Sequence, residues 1–347
     1  MRIAIANDVA MAAEALRRVI ASRREHQVVW IARTGLEAVR MCAEQRPDLI
    51  LMDLNMPELD GVEATRRIMQ HTPCAILVVT GSPQDNVGQV FRALGAGALD
   101  VTATPILAGA AGGDAQLLAK IRTIGKLIRV SSAEDHGPPA PAEAPAGAVK
   151  HLLAIGASTG GPLAIAKILS GWIPAPGTAV VVVQHIDANF AGHLSKWLGE
   201  QLPLPVKVID DGDPLEPGTV QIARTNNHLV LSARHRLHYD ELPRDYAYRP
   251  SVDVFFSCVA RHWEGEATGV LLTGMGRDGA NGLLAMRAAG KTTIAQDHAS
   301  CAVYGMPRAA AELDAAQLIL PLDNIGPSLR SKIGGVSQAR SDTGKLF

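Results

Sequence analysis

The sequence has almost no net charge and few cysteines, and the cysteines form no recognisable site. Its 347 residues include 33 basic and 34 acidic ones, for a formal net charge of −1. A chain so balanced has no general electrostatic attraction to nucleic acid or to anionic lipid. The four cysteines form no C-x-x-C pair and no Cys/His cluster with zinc spacing. This argues against a metal or disulfide framework and favours small buried residues in a reducing compartment.

Long apolar runs are also lacking. The most apolar stretches, such as AVVVV at 179–183, have the length of a strand, whereas a helix needs about 20 apolar residues to span a bilayer. The opening residues MRIAIANDVA acquire charge too early to be a secretory signal. These absences predict a soluble, cytoplasmic protein.

What the chain has is length and 47% hydrophobic residues, enough for two packed domains. The stretch SSAEDHGPPAPAEAPAGAVK is rich in proline and alanine and has no apolar periodicity, so it is predicted not to fold. We therefore predict one domain at 1–128, a linker at 129–150, a second domain at 151–340 and a disordered tail at 341–347.

Strand and helix patterns alternate in both domains. In the first, five apolar runs alternate with segments of helical spacing: RIAIA, QVVWIA, DLILMD, AILVVT and ALDVTA. Continuous apolar strands of this kind indicate a parallel sheet covered on both faces, here an α/β domain of (βα)5 type. The second domain is predicted to be a doubly wound, mostly parallel α/β domain, with an antiparallel hairpin at 219–240 on the otherwise parallel sheet.

Three polar residues follow strands of the first domain. Asp8 follows the first strand, Asp53 the third, and Thr80 ends the fourth, so they are expected at one edge of the sheet, where open α/β sheets bind ligands. Carboxylates there could hold Mg²⁺, and one of them could form an aspartyl phosphate. A single acid at a strand end more often caps the strand or the next helix, but three matched groups favour a site.

The segment MDLNMPELDG resembles the phosphorylation segment of response-regulator receiver domains, and the likeness covers roughly residues 1–128. The resemblance implies that Asp53 is the phosphoacceptor and that Thr80 senses the phosphate. It also implies that Asp8, Asp53 and the carbonyl of Asn55 bind Mg²⁺.

Two positions depart from the receiver pattern. Asn7 stands where receivers carry the first of two adjacent acids. Thr104 precedes Pro105 where receivers of this kind carry a lysine that pairs with the phosphate. Phosphorylation could survive these changes, but the coupling of phosphate to conformation is expected to be weaker.

The second domain opens with HLLAIGASTGGP, an apolar run that ends in a glycine cluster. A dinucleotide-binding loop would need G-x-G-x-x-G, and a P-loop would need Lys-Ser/Thr after the glycines, where this chain has Pro162. What remains is Gly156-x-Ser158-x-Gly160 on a strand-to-helix turn, which fits a nucleophile elbow but is a weak signal alone.

A serine nucleophile needs a base, and the base needs an acid that orients it. His185 ends the neighbouring predicted strand, and Asp278 lies in the glycine-rich loop of LLTGMGRDG, also after a strand. A lone histidine is more often a satisfied structural residue, and His298, near another strand end, is a rival base. The shared sheet edge favours Ser158, His185 and Asp278 together, in a chain order that differs from that of α/β-hydrolases.

Five segments of the second domain resemble, in order, the catalytic domain of chemotaxis protein-glutamate methylesterases, the CheB family: IGASTGGP, VVVVQHI, RPSVDVFF, LLTGMGRDGANG and YGMPRAA. The resemblance implies Ser158 as nucleophile, His185 as base and Asp278 as orienting acid, with Met275 and Thr159 as oxyanion donors. The receiver-linker-esterase order extends the likeness to the whole chain. Because it lacks the receiver lysine, the chain is similar to the WspF-type subgroup.

The resemblance implies a phosphorylation-regulated hydrolase that demethylates glutamate γ-methyl esters on chemoreceptors, with glutamine deamidation chemically open. It implies no cofactor for the esterase and Mg²⁺ for receiver phosphorylation. The implied partners are a methyl-accepting chemoreceptor and a chemosensory histidine kinase; neither nucleic acid nor direct membrane insertion is expected. The alternative is a response regulator whose output domain is a non-catalytic binding module or a phosphate sink, and the intact Ser/His/Asp set argues against it.

Overall fold

The computed structural model describes residues 1–81, 87–105, 113–129, 149–186, 188–244, 246 and 248–337. The chain divides into two compact units, Met1–Gly137 and Pro138–Phe347. The predicted tail and most of the predicted linker lie outside the described residues, so the predicted domain boundaries stay predictions. No helix in the described part of the chain is long and apolar enough to cross a membrane.

The first unit is built on a five-stranded parallel sheet with the strand order β2-β1-β3-β4-β5. Its elements alternate along the chain: β1 (Arg2–Ala6), α1 (Ala10–Ala21), β2 (Gln27–Ala32), α2 (Gly35–Glu44), β3 (Leu49–Met52), α3 (Gly61–His71), β4 (Ala75–Thr80), α4 (Val87–Gly95), β5 (Asp100–Ala103) and α5 (Gly113–Arg129). Every side chain of the central strand β3 is buried, as expected where helices cover both faces of a sheet. The predicted (βα)5 fold is confirmed.

The second unit is built on a seven-stranded parallel sheet with the strand order β16-β15-β14-β6-β8-β11-β9. Its elements are β6 (His151–Ala157), α6 (Gly161–Leu169), β7 (Trp172–Pro174), β8 (Thr178–Gln184), α7 (Ala188–Gln201), β9 (Val206–Val208), β10 (Asp213–Pro214), β11 (Val220–Ile222), β12 (His228–Leu231), β13 (Arg236–Asp240), α8 (Val252–His262), β14 (Glu266–Leu271), α9 (Ala280–Ala288), β15 (Thr292–Gln296), α10 (Met306–Glu312), β16 (Leu318–Leu320), α11 (Leu322–Ile333) and β17 (Gly335–Ser337).

The strand order reverses around β6, which pairs with β8 on one side and with β14 on the other. The sheet is therefore doubly wound, as predicted. In such sheets the crevice outside the carboxyl ends of the strands at the reversal is the usual ligand site. The fold thus directs attention to the residues that follow β6, β8 and β14.

Two small antiparallel sheets complete the second unit, one of β10, β13 and β12 and one of β17 and β7. The predicted hairpin is present between β12 and β13, but its predicted place on the parallel sheet is wrong. Instead β11 joins the parallel sheet, and the hairpin forms a separate sheet with β10. Helix α11 was not predicted, because Gly326 and Pro327 lie within it and weaken the helical pattern.

Candidate active site

Ser158 and His185 leave the sheet side by side. Strands β6 and β8 are parallel, and Ala157 of β6 lies opposite Gln184 of β8. Ser158 is the next residue after β6, and His185 is the next residue after β8. The backbone N–H of His185 donates to the carbonyl of Ala157 at 3.0 Å, which extends the pairing one residue past β8. The structure therefore brings these two predicted residues to one point of the sheet edge.

The glycine cluster after β6 gives the chain room to turn beside its neighbouring strand. Gly160 has a φ of 78°, a backbone conformation that side chains other than glycine rarely adopt. A Cβ on Gly161 would overlap the side-chain oxygen of Gln184, whose amide group donates to the carbonyl of Ser158 at 2.8 Å. Helix α6 starts at once, with Pro162 in its first turn. The glycines of the motif therefore serve a tight turn that positions Ser158.

Asp278 arrives from the loop after β14, on the other side of β6. His185 Nε2 lies 2.7 Å from Asp278 Oδ2. The same carboxylate accepts from the Ser251 hydroxyl at 2.6 Å and from the backbone N–H groups of Val252 at 2.7 Å and Asp253 at 3.1 Å. The last two donors belong to the first turn of α8, whose N-terminus favours negative charge.

These donors decide the ionisation of Asp278. Burial opposes the charged form, but the hydrogen bonds of His185 and of the Ser251 hydroxyl outweigh burial and hold the pKa of this carboxyl below its usual range. Only 5% of the His185 side chain and 8% of the Asp278 side chain are exposed, so the pair is shielded from water. The structure thus holds a buried, ionised carboxylate behind the histidine.

The ring of His185 is oriented from two directions. Asp278 occupies its Nε2, while its Nδ1 is buried and has no hydrogen-bond partner among the described residues. The ring also stacks on Tyr248, with ring centroids 3.9 Å apart and an interplanar angle of 9°. Nδ1 is therefore the ring nitrogen that Asp278 leaves available, and it makes no hydrogen bond to Ser158 here. Catalytic hydrogen bonds commonly tighten only when substrate binds.

The two predicted oxyanion donors lie in turns that flank Ser158. Gly274 packs so closely on the serine that a Cβ there would lie 2.7 Å from the Ser158 Cβ, and Met275 follows it in the chain. Thr159 follows the serine itself, and its carbonyl accepts from the Thr273 hydroxyl at 2.8 Å. The turn that carries Met275 and the turn that carries Thr159 are therefore tied together beside Ser158.

The sequence motifs did not identify Tyr248, Ser251 or Asp253 as part of the site. Ser251 is the N-cap of α8, since its hydroxyl accepts from the Val254 N–H at 3.3 Å. A serine directly before a helical pattern was the only feature of the sequence that pointed to it. Asp253 accepts from the N–H of Gly282 at 2.7 Å. Burial and the nearby charge of Asp278 raise the pKa of Asp253 to about 7.

His298, the rival base, is exposed. Its ring packs edge-on against Tyr304, with ring centroids 4.8 Å apart. His185 is the histidine that contacts Asp278, so the geometry favours His185 over His298.

The phosphoacceptor candidate Asp53 follows β3 in the first unit. Its Oδ2 accepts from the Asn7 side-chain amide at 3.0 Å, and its Oδ1 accepts from the Leu54 N–H at 2.7 Å. Burial, with a smaller contribution from the charge of Asp8, raises the pKa of Asp53 above its usual value. A cation between the two carboxylates would offset both effects, and Asn55 is exposed at the same loop. The oxygen donors therefore fit Mg²⁺, although the described residues contain no cluster of three acidic, histidine or cysteine ligands.

Thr80 and Thr104 occupy the neighbouring strand ends. Thr80 is buried, and its carbonyl accepts from the Thr104 N–H at 3.0 Å. Lys120 of α5 does not replace the missing lysine, because its ammonium lies 2.6 Å from Asp100 at the opposite end of β5. Lys120 is therefore held away from the strand ends where Thr80 and Thr104 lie.

Comparisons with known proteins agree for both units. Residues 153–329 match the family model described as CheB methylesterase, and residues 3–108 match the model described as response regulator receiver domain. A Pseudomonas aeruginosa protein named protein-glutamate methylesterase/protein-glutamine glutaminase 3 is 51% identical over 331 residues, which cover 95% of this chain and 98% of that protein. A Burkholderia lata protein of the same name, numbered 2, is 53% identical over 337 residues, or 96% and 98% of the two chains.

A solved structure is also similar. The crystal structure of the Thermotoga maritima CheB methylesterase catalytic domain shares 31% sequence identity with a TM-score of 0.49, covering 53% of this chain and 99% of that one. None of these three names specifies the WspF-type subgroup, which stays a prediction.

Proposed function

The chain belongs to the CheB methylesterase family, and on that premise we propose that it hydrolyses glutamate γ-methyl esters on the cytoplasmic helices of methyl-accepting chemoreceptors. The observation that carries the proposal is the 2.7 Å contact between His185 and Asp278 at the sheet edge where Ser158 leaves the adjacent strand. A buried, ionised acid behind a histidine is what nucleophilic catalysis by a serine requires. Binding alone, without catalysis, does not require a buried histidine–aspartate pair.

In the proposed reaction the Ser158 Oγ attacks the ester carbonyl while His185 takes the hydroxyl proton through Nδ1, the nitrogen that does not face Asp278. The imidazolium then gives this proton to the methoxy oxygen, and methanol leaves an acyl-enzyme. Water, deprotonated by the same nitrogen, hydrolyses the acyl-enzyme and regenerates Ser158. Asp278 stabilises the imidazolium and keeps its own charge throughout.

The tetrahedral intermediate carries a negative oxygen that needs fixed donors. We assign this role to the backbone N–H groups of Met275 and Thr159, which belong to the two turns that flank Ser158. Helix α6 begins just after Thr159, so the positive end of its dipole favours the same charge.

Glutamine side chains are a second proposed substrate. The amide carbonyl can accept the same attack, and ammonia then leaves in place of methanol to give the same acyl-enzyme. The relatives reported above carry both activities in their names, which supports the extension.

The receiver unit is proposed to control the esterase. A chemosensory histidine kinase in the cytoplasm would supply a phosphoryl group to Asp53, and Thr80 would donate a hydrogen bond to it. Asp8, Asp53 and the carbonyl of Asn55 would hold Mg²⁺, which offsets the charge of the carboxylates and the phosphate. Phosphorylation would then shift the population from an inhibited arrangement of the two units to an open one.

The test uses the full chain, membranes that contain methylated receptor, and Mg²⁺, with and without a small phosphodonor. Methanol is measured over time, ammonia reports deamidation, and the Asp53→Asn variant controls for phosphorylation. We expect methanol release that the phosphodonor increases in the wild type only. If Asp53 takes up phosphate while methanol stays at the level of membranes alone, the chain is a phosphate sink and the proposal is wrong.

A further inference from the structure

Two of the four cysteines meet in the first unit although 32 positions separate them. Cys42 lies in the last turns of α2, and Cys74 lies between α3 and β4. Their sulfur atoms are 3.9 Å apart, within reach of an S–H···S contact. A disulfide bond is about 2.0 Å long, so the sulfurs need to approach by about 1.9 Å, which small side-chain rotations can supply.

The surroundings of the pair favour a thiolate. The S–H of Cys74 lowers the pKa of Cys42 to about 7, against the effect of burial, and the Thr72 hydroxyl and the positive charge of Arg46 act in the same direction. The Thr72 hydroxyl lies 3.6 Å from the Cys42 sulfur. The same contact, together with burial, raises the pKa of Cys74 above its usual range. Thiolates, and not thiols, react with peroxides and disulfides, so Cys42 is the reactive sulfur of the pair.

The pair can be reached by a small oxidant from one side. Cys42 is buried, whereas Cys74 is half-buried, so hydrogen peroxide can approach the two sulfurs past Cys74. A cysteine that favours the thiolate beside a second cysteine is the arrangement of a peroxide-reactive cysteine next to a resolving cysteine.

The pair also lies away from the phosphorylation residues. Cys74 precedes β4 and Thr80 ends it, so the length of one strand, about 20 Å, separates them. The two cysteines therefore lie at the end of β4 opposite to Thr80.

We propose that Cys42 and Cys74 form a reversible disulfide when the protein meets a hydroperoxide. The Cys42 thiolate attacks a peroxide oxygen, which breaks the O–O bond and gives a Cys42 sulfenic acid and hydroxide. The hydroxide takes the Cys74 proton to form water. The Cys74 sulfur then attacks the Cys42 sulfur, which forms the S–S bond and releases the sulfenic hydroxyl as a second water with the proton that Cys42 had lost. Overall two thiols and one hydrogen peroxide give one disulfide and two waters.

The test treats the folded full chain with hydrogen peroxide, blocks the remaining thiols with a maleimide, and analyses non-reduced peptides by mass spectrometry. The expected product is one cross-linked peptide pair containing Cys42 and Cys74, lighter by about 2 Da than the two free peptides. A dithiol reductant should reverse it. Cys258 and Cys301 are the internal controls, because burial raises the pKa of both, that of Cys301 to about 12; they should remain free thiols.

Two variants assign the order of events. In Cys74→Ser the Cys42 sulfur should accumulate as a sulfenic acid that dimedone traps, because no resolving sulfur remains. In Cys42→Ser the Cys74 sulfur should stay unlabelled under the same conditions, because burial still raises its pKa. If wild-type Cys42 and Cys74 are blocked by maleimide as completely as Cys258 and Cys301 after peroxide treatment, the proposal is refuted; that result needs no variant to fold.

Discussion

Replacing Ser251 by alanine tests how the fold keeps the orienting acid in place. The Ser251 hydroxyl donates to Asp278 at 2.6 Å and accepts from the Val254 N–H at 3.3 Å. One side chain therefore both positions the carboxylate and caps α8. Ser251→Ala removes both bonds without adding bulk to a fully buried position.

The free-energy cost of losing each of these two hydrogen bonds can be estimated separately. A hydrogen bond to a charged group contributes about 1.5–3 kcal/mol. Asp278 keeps His185 and the two backbone donors of α8, so the lower end of that range applies, and about 1.4 kcal/mol corresponds to a tenfold lower kcat. Loss of an N-cap lowers the free energy of unfolding by about 1 kcal/mol. KM should hardly change, because in the proposed mechanism Ser251 acts on substrate only through Asp278.

The assay measures methanol release at several concentrations of methylated receptor membranes, alongside urea unfolding of the same preparation. Ser257→Ala is the matched control, a serine two turns along the same helix that is not part of the Asp278 cluster. We expect kcat to fall about tenfold in Ser251→Ala and to stay unchanged in Ser257→Ala. An unfolding free energy that drops while kcat keeps its wild-type value would mean that Ser251 only caps the helix.

Three other outcomes are expected. Thr104→Lys should increase the activation of the esterase by a phosphodonor, since a charge-assisted bond to phosphate is stronger than a neutral one; equal activation in both proteins would show that another group already fills this role. Cutting the chain within 131–150, or expressing 147–347 alone, should raise the basal esterase rate because a tethered inhibitor acts at high effective concentration, and an unchanged rate would argue against inhibition by the receiver. Asp253 keeps a proton in the folded state up to about pH 7 that the unfolded chain loses near pH 4, so the free energy of unfolding should fall as pH rises through that window; urea unfolding at both ends should show a smaller fall in Asp253→Asn, and equal falls would contradict the assignment.

Strand ends were the part of the site that could be predicted. The hydrophobic periodicity and apolar content of the sequence locate the ends of β6, β8 and β14. Because these strands are parallel, their carboxyl ends lie at one edge of the sheet. Ser158, His185 and Asp278 each follow one of these strands, so their convergence could be expected before the structure was known. The same reasoning brought Asp8, Asp53 and Thr80 together in the first unit.

Contacts made by irregular segments could not be predicted. Tyr248 reaches His185 from a stretch between β13 and α8 that has no periodic pattern. Which ring nitrogen of His185 faces Asp278 depends on the rotation of the imidazole ring, and the spacing of residues in the sequence does not determine it. The hairpin was assigned to the wrong sheet because alternation identifies a strand and not its partner. Cys42 and Cys74 meet only because α2 ends beside the segment that enters β4.

Methanol release from methylated receptor membranes by Ser158→Ala tests whether Ser158 is the nucleophile of an ester hydrolase. Alanine is close in size to serine, so the fold should be kept, as circular dichroism can verify. Ser232→Ala, a change in the β12–β13 turn, is the control. We expect background methanol release from Ser158→Ala and the wild-type rate from Ser232→Ala. Release at the wild-type rate from Ser158→Ala would show that Ser158 is not the nucleophile.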